Sequence, residues 1–471
     1  MFAQSVITRV VRVAAGVFAP GHLGELTQFV PFEMVDAVLA ETVGATQRRA
    51  RLLPSRVVVY FLLAMGLFPK LGYRGVWDKL TAGLGWLAAT TPTAKGLREA
   101  RRRVGAAPLK ALFELLAGPL AWPVTPGVCW RGLRPVAIDG TGVAIPDSPA
   151  NQAFTDKPRT ASHPDAGYPL LRLVVVVECG TRALLAAVFG TPADGELIYA
   201  SHLLDRASTR LRKGMVLLAD RNFDAGAFLA QVHATGADLV IRLKANRRPP
   251  LIRRYRDGSI GSVIAGVPVR VIEALITVIG HDGSRRTEHY RLVTTLLDPD
   301  RYPAAELIAL YHQRWEIETA FLALKHTLFD GRVLRSHTPT GIEQELWALL
   351  ASYQILRHAM TSATDSQPGT DPDRASFTTA LEAARDQLIT AHNIITDTTT
   401  GAIDLVGAIG RRVLANLLPA RRARICPRTV KRPLSRYAYK KPKQPRTCIK
   451  ITLKITLNDT ATSPLTRPPT P

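Results

Sequence analysis

Three acidic residues stand where carboxylates could serve phosphate chemistry. Asp139 ends the apolar run 135–138 and precedes Gly140-Thr141-Gly142, and Asp220 ends the run 215–219 and precedes Arg221-Asn222-Phe223. Both read as acids at strand ends, where ligands of α/β sheets gather, although each alone equally suits a turn former or a helix cap. The third acid, Glu318, lies in residues 311–329, where Tyr311, Arg314, Glu318 and Lys325 fall within an arc of roughly 60° on a helix of 100° per residue. Leu310, Ile317, Phe321, Leu324 and Leu328 form an apolar stripe beside that row, so one edge of a docked helix would carry the polar groups. Glu316 falls on the far side and is expected to be solvated, which leaves Glu318 as the inward carboxylate. Taken alone, the row is equally an exposed ladder, because Arg314 and Glu318 are an i,i+4 pair. Three clustered carboxylates repel unless a cation sits among them. Two strand-end acids and a helix acid can hold a pair of divalent ions about 3.5 to 4 Å apart, the arrangement that supports phosphoryl transfer.

The rest of the chain must supply those strands and that helix. Residues 136–138, 171–177, 184–189, 215–219 and 239–243 are short apolar runs rich in Val, Ile and Leu, as buried strands are. Helix-like stretches at 196–204 and 225–233 lie between the later runs, predicting a mixed α/β sheet. Residues 246–296 return to strand-and-turn signals, with Arg256-Asp257-Gly258-Ser259 and His281-Asp282-Gly283-Ser284 between β-rich runs, before a strong helix over 303–328. Ahead of the sheet, residues 20–120 show helical spacing, and Thr91-Pro92-Thr93 starts a helix bearing Lys95, Arg98, Arg101, Arg102 and Arg103, read either as a nucleic-acid face or as a solvated one. Helices follow around 343–360 and 377–395, joined by a polar linker at 361–373.

The expected division is a helical domain over 1–125, a catalytic core over 126–335 with its β insertion near 246–296, helices over 336–400 and a basic, largely disordered tail over 401–471. A chain of 471 residues is ample for several buried cores. Its net charge of +23 speaks for a polyanionic partner. Residues 411–454 hold fifteen Lys or Arg and no acid, with Tyr437 and Tyr439 interleaved, which suits either a nucleic-acid tail or a solubilising one. The longest apolar run, 57–68, is too short for a membrane span and reads as a buried helix. Four scattered cysteines without a CxxC pair fit neither a zinc site nor a disulfide framework, and a reducing cytoplasm is the expected home. The segment 13–19, interrupted by Arg9 and Arg12 just before it, is not read as a secretion signal.

The spacing Tyr311-x2-Arg314-x3-Glu318-x6-Lys325 resembles the YREK signature of DDE transposases of the insertion-sequence-four family. The Ile138-Asp139-Gly140-Thr141 and Asp220-Arg221 segments are similar to that family's first and second Asp segments, and the order Asp, Asp, Glu agrees. The stretches RLVTTLLD at 291–298, QELWALLASY at 344–353 and RRRVG at 101–105 extend the likeness over residues 20–395.

The resemblance implies an RNase H-like core with a β insertion before the glutamate helix. By likeness, Asp139, Asp220 and Glu318 are the catalytic acids and ligands of two Mg2+ (or Mn2+) ions. Tyr311, Arg314 and Lys325 hold DNA phosphates beside the cut, and Arg101, Arg102 and Arg103 add DNA contacts. The implied partners are double-stranded DNA, as transposon ends and target, and a second copy of the chain in a synaptic homodimer, with no membrane and a cytoplasmic, nucleoid-associated location. The family's base-stacking Trp has no counterpart in 246–296, where Tyr255 and Tyr290 are the aromatics. The expected activity is cut-and-paste transposition at the ends of the chain's own insertion sequence. A catalytically silent DNA-binding relic and a host nuclease are the alternatives.

Overall fold

The structure, a computed structural model, describes residues 22–43, 53–84, 91–155, 157, 167–205, 210–279, 285–390, 406–420 and 452–457. The chain forms two compact units, Met1–Arg210 with Glu316–Ala420, and Leu211–Trp315 with Arg421–Pro471.

The first unit begins with helices α1 (Phe32–Val43), α2 (Ser55–Leu67), α3 (Tyr73–Thr81), α4 (Ala94–Val104) and α5 (Ala107–Leu116). Every residue of α2 from Val57 to Leu67 is buried, as its apolar run requires. The α4 start signal works as expected: the Thr93 side chain accepts from the Gly96 N–H, and the helix ends at Gly105, whose φ of 71° suits glycine. Strands β1 (Arg134–Ala144), β2 (Leu170–Glu178) and β3 (Leu184–Gly190) form an antiparallel meander, with a short helix α6 (Pro149–Phe154) between the first two. Helix α7 (Glu196–Asp205) packs on all three strands.

The second unit opens with β4 (Met215–Ala219), α8 (Gly226–Ala234) and β5 (Asp238–Arg242), a strand-helix-strand unit whose strands pair in parallel, Val216 opposite Asp238. Along the chain, three antiparallel strands are thus followed by a parallel pair joined by a helix. Strands β6 (Arg253–Arg254), β7 (Ile260–Ile264), β8 (Val267–Ile279) and β9 (Arg285–Thr294) are antiparallel neighbours, and β9 pairs with β5, so the expected insertion extends this unit's sheet. Helix α9 (Ala304–Tyr311) lies on β5.

The chain returns to the first unit through α10 (Glu316–Leu322), followed by α11 (Pro339–Asp365), α12 (Phe377–Thr390) and α13 (Gly407–Ala415), while β10 (Thr452–Leu457) pairs with β8 in the second. The 27-residue α11 is the axis of the first unit's core, touched by α2, α5, α12 and α13. Gly66 allows the approach of α2: a Cβ there would stand 2.8 Å from the Ser352 hydroxyl, which donates to the Leu63 carbonyl at 2.9 Å.

The fold is therefore mixed α/β with helices before and after the strands, as expected. Two details of the expected division change. The N-terminal helices do not form a unit of their own, because α2 and α5 bury their apolar faces against α11. The segment after residue 400 is not wholly without structure: α13 buries Ile409 and Val413, Glu25 caps it by accepting from the Ala408 and Ile409 N–H groups at 2.8 and 2.9 Å, and β10 forms a ladder. Tyr437 and Tyr439 lie outside the described residues.

Candidate active site

Asp139 sits in the middle of β1, opposite Val175, rather than at the strand's end. The apolar half of β1 stops at Ile138, and the polar half continues to pair with β2 because Gly140, Thr141 and Gly142 keep their ladder partners. The Asp139 carboxylate is half-buried and accepts from the Gly140 N–H at 2.9 Å. By strand alternation Thr141 shares its face. On the other face, a Cβ at Gly140 would collide with the Glu196 carboxylate of α7, so glycine leaves room there for that acid.

Helix α10 packs on β1 and β2 and carries the half-buried Glu318 in its first turn. Beyond it the backbone takes π geometry over Ala323–Leu328, with the Phe329 N–H reaching the Leu324 carbonyl five residues back. From this turn Lys325 donates to the Thr141 hydroxyl at 3.0 Å. Burial pushes the Lys325 ammonium below its ordinary pKa. Asp139, Glu318 and Lys325 thus belong to one packed interface, β1 against α10 and its π extension.

The helix expected over 303–328 is not uniform. It runs as α9, a 3-10 turn over His312–Trp315, α10 and the π turn, so a constant 100° per residue does not describe it. The expected solvation of Glu316 fails for a different reason: Arg182, from the β2–β3 turn, packs on that side of α10. Glu316 is 5% exposed, and its Oε2 accepts from Arg182 Nε at 2.6 Å.

In the second unit Asp220 follows β4 as expected and caps the 3-10 turn Arg221–Phe223 by accepting from the Asn222 N–H at 2.8 Å. Burial pushes the Tyr311 phenol up to about 12, against the pull of the Arg314 and Arg242 cations. The Tyr311 ring packs edge-on against Tyr290 at 6.2 Å and is 5% exposed. It is therefore a packed support for its neighbours, in contrast to the displayed phosphate ligand expected of it. Arg314 lies over Trp315 at 5.6 Å and Tyr311 at 6.0 Å, and Arg242 covers Tyr290 at 4.1 Å. Tyr255 is covered in the same way by Arg253 at 4.2 Å.

The basic cluster on α4 divides by burial. Arg101 is 3% exposed and donates to Gln344 Oε1 (2.8 Å), Tyr73 Oη (2.7 Å), Ser336 Oγ (2.8 Å) and the Gly341 carbonyl (2.9 Å). It clamps α4 to the start of α11 and is not a surface cation for DNA, a correction to its expected role. Arg102 is exposed and pairs with Glu99, and Arg103 is exposed and reaches the Leu53 carbonyl at 3.3 Å. Beside the clamp opens a cleft of about 810 Å³ lined by Arg98, Arg102, Arg335, His337, Thr338 and Thr340, in which Arg335 Nη1 is buried without a hydrogen-bond partner. None of the three acids lines it.

Sequence reasoning missed Arg182, Arg335 and the acceptor role of Glu316. Arg182 carries no periodic signal, and its place in the β2–β3 turn gives no hint of a partner 134 residues away. Among the described residues no three His, Cys, Asp or Glu side chains are already gathered as a metal site. The donor chemistry of Asp139, Asp220 and Glu318, hard carboxylate oxygens, is nonetheless that which Mg2+ and Mn2+ take.

Residues 20–114 match the family profile described as insertion element 4 transposase N-terminal, and residues 130–355 match the transposase DDE domain. The chain is 29% identical over 430 residues to the transposase InsG for insertion sequence element IS4 of Escherichia coli K12, covering 87% of this chain and 92% of that one. It is 29% identical over 178 residues to the putative transposase InsZ of the same organism, 38% of this chain and 58% of that one. A piggyBac transposase, solved as a synaptic complex with hairpin DNA, aligns at 11% identity and a TM-score of 0.42 over 84% of each chain.

Proposed function

Since this chain belongs to the insertion-sequence-four family of DDE transposases, enzymes of phosphoryl transfer on DNA, we propose that it cuts and rejoins DNA at the ends of its own insertion sequence by cut-and-paste transposition. The observation that carries the reading is the packing of β1, the strand of Asp139, on α10, the helix of Glu318, with Lys325 bonded to Thr141 beyond it. Asp139 and Glu318, together with Asp220, would hold two Mg2+ or Mn2+ ions. Such ions, when bound, activate the attacking oxygen and stabilise the leaving one.

The chain's own groups do the positioning. Lys325, desolvated and fixed to Thr141, and Arg314, stiffened by two aromatic rings, present cations to the phosphates beside the cut. Arg98 and Arg102, both exposed, would take backbone phosphates in the α4–α11 cleft. The family likeness extends this to a homodimer that holds two ends at once. No helix among the described residues is long and apolar enough to cross a membrane.

The test is a labelled duplex carrying the inverted repeats that flank the gene, incubated with the protein and Mg2+. Nicking at the repeat boundary supports the reading. Tight binding of the repeats without nicking would establish the silent DNA-binding alternative, and cleavage indifferent to the repeats would point to a nuclease.

A further inference from the structure

Helix α10 is only seven residues long and lies between a 3-10 turn and a π turn, so no uninterrupted hydrogen-bond ladder fixes its rotation or its slide along β1. Its buried apolar residues, Ile317 and Ala320, make a contact that a small slip would largely preserve. Two polar tethers remove that freedom. At the rear is Lys325 on Thr141. At the front is Glu316, first residue of α10, on Arg182.

Arg182 is itself held on every side. It stands in the turn between β2 and β3 with φ of 60°, its N–H donating to the Glu178 carbonyl at 2.8 Å and its carbonyl accepting from the Tyr353 hydroxyl at 2.8 Å. Its guanidinium pairs with Glu316 through Nε and with Asp373 through Nη2. Arg357 donates to the same Tyr353 hydroxyl at 2.9 Å. Two cations and two carboxylates thus balance inside the core, the Glu316 and Asp373 side chains being 6% and 4% exposed.

A buried ion pair is weak evidence of stability, because apolar residues of similar volume often serve as well, and register is its best-attested use. We propose that Arg182 and Glu316 are positioning residues: their bond fixes the rotation and register of α10 on β1 and thereby places the Glu318 carboxylate, two residues on. The proposal rests on the reading of Glu318 as a catalytic acid.

The experiment compares Glu316→Leu with Glu316→Gln in the full chain. Leucine keeps the volume and leaves Arg182 paired with Asp373, whereas glutamine also keeps an oxygen at the length Arg182 needs. Three quantities are read for each: affinity for the labelled transposon end in Ca2+, single-turnover cleavage, and Mn2+ affinity of the protein–DNA complex by electron paramagnetic resonance. Glu316→Leu should bind DNA normally yet cleave about a hundredfold more slowly, the scale of a 1 Å misplacement, with Mn2+ affinity down about tenfold or more. Glu316→Gln should restore both to within about fivefold. A folded Glu316→Leu with cleavage and Mn2+ affinity unchanged overturns the proposal. If Glu316→Leu does not fold, Arg182→Lys replaces it, since a point charge cannot serve both carboxylates as the planar fork does. Loss of cleavage at unchanged DNA affinity then supports the proposal, and unchanged cleavage overturns it. Glu318→Gln runs alongside: should it cleave like the wild type, the reading of the catalytic acid fails, whatever the Glu316 variants do.

Discussion

The Lys325 ammonium donates a 3.0 Å hydrogen bond to the Thr141 hydroxyl, two residues along β1 from Asp139. Under the proposed function, a half-buried cation tied to the strand that carries Asp139 would be placed for a reacting phosphate at the expense of its own solvation. Burial lowers its pKa. Between that lowered value and the ordinary lysine value the unfolded chain holds a proton that the folded one has lost, so stability rises with pH in this window. Below it the desolvation penalty is fully present. Lys325→Met should therefore raise the melting temperature at neutral pH while slowing single-turnover cleavage about a hundredfold and barely changing DNA affinity. A fall in affinity equal to the fall in rate would make Lys325 an ordinary binding cation.

Asp139→Asn, Asp220→Asn and Glu318→Gln should each reduce end cleavage to background in Mg2+ while end binding in Ca2+ stays within about threefold, since each removes a hard anionic ligand without changing bulk. Asparagine still accepts a hydrogen bond, so the Asn222 N–H keeps its cap partner in Asp220→Asn and the turn survives. The exposed Glu343 is the control. Any of the three variants that cleaves normally leaves the site.

Arg101 and Arg102 are neighbours in sequence with opposite expected phenotypes. Arg101→Ala strands Gln344 Oε1 and the Ser336 hydroxyl in a buried place and should cost about 3 kcal/mol in urea unfolding. Arg102→Ala should leave unfolding within about 0.5 kcal/mol but weaken DNA binding and lower its salt slope by about one. Equal stability losses would refute the division of the cluster by burial.

Residues 421–454 contain thirteen Lys or Arg. Truncation after Ala420 should weaken DNA affinity and flatten its dependence on salt, because fewer counterions are released on binding. Truncation after Gly410 should in addition destabilise the fold, since it removes the buried Val413 and half of α13. An unchanged salt slope after the first cut would show the cations to be bystanders.

The strands of both units were legible because buried strands announce themselves as short runs of Val, Ile and Leu, and α2, apolar from Val57 onward, announced itself by length. Asp220 was legible because its apolar run stops where its strand stops. Asp139 was found but misplaced within its strand: burial ends at Ile138 while the ladder with β2 continues, and apolar patterning reports only burial. Glu316 escaped because a helical wheel gives the side a residue is on but not what packs there, and its partner Arg182 stands 134 residues earlier. Arg101 looked like the cations beside it, since what distinguishes it is Gln344, a residue 243 positions later.

Helix α2 has a further consequence, for synthesis. One side of it is covered by α11, which begins at Pro339, about 270 residues after Leu67, while α1, α3 and α4 cover the rest. At a synthesis rate of about 5 to 20 residues per second, that leaves the α11-facing side of the helix uncovered on the ribosome for roughly 14 to 54 seconds. The second unit's strands β4 to β9 emerge and can pair meanwhile. Nascent chains that stop anywhere before α11 carry that greasy surface permanently. Fragments of the gene ending upstream of residue 339 should accumulate in inclusion bodies or on chaperones, whereas chains that extend through Ala415 bring the missing cover with them.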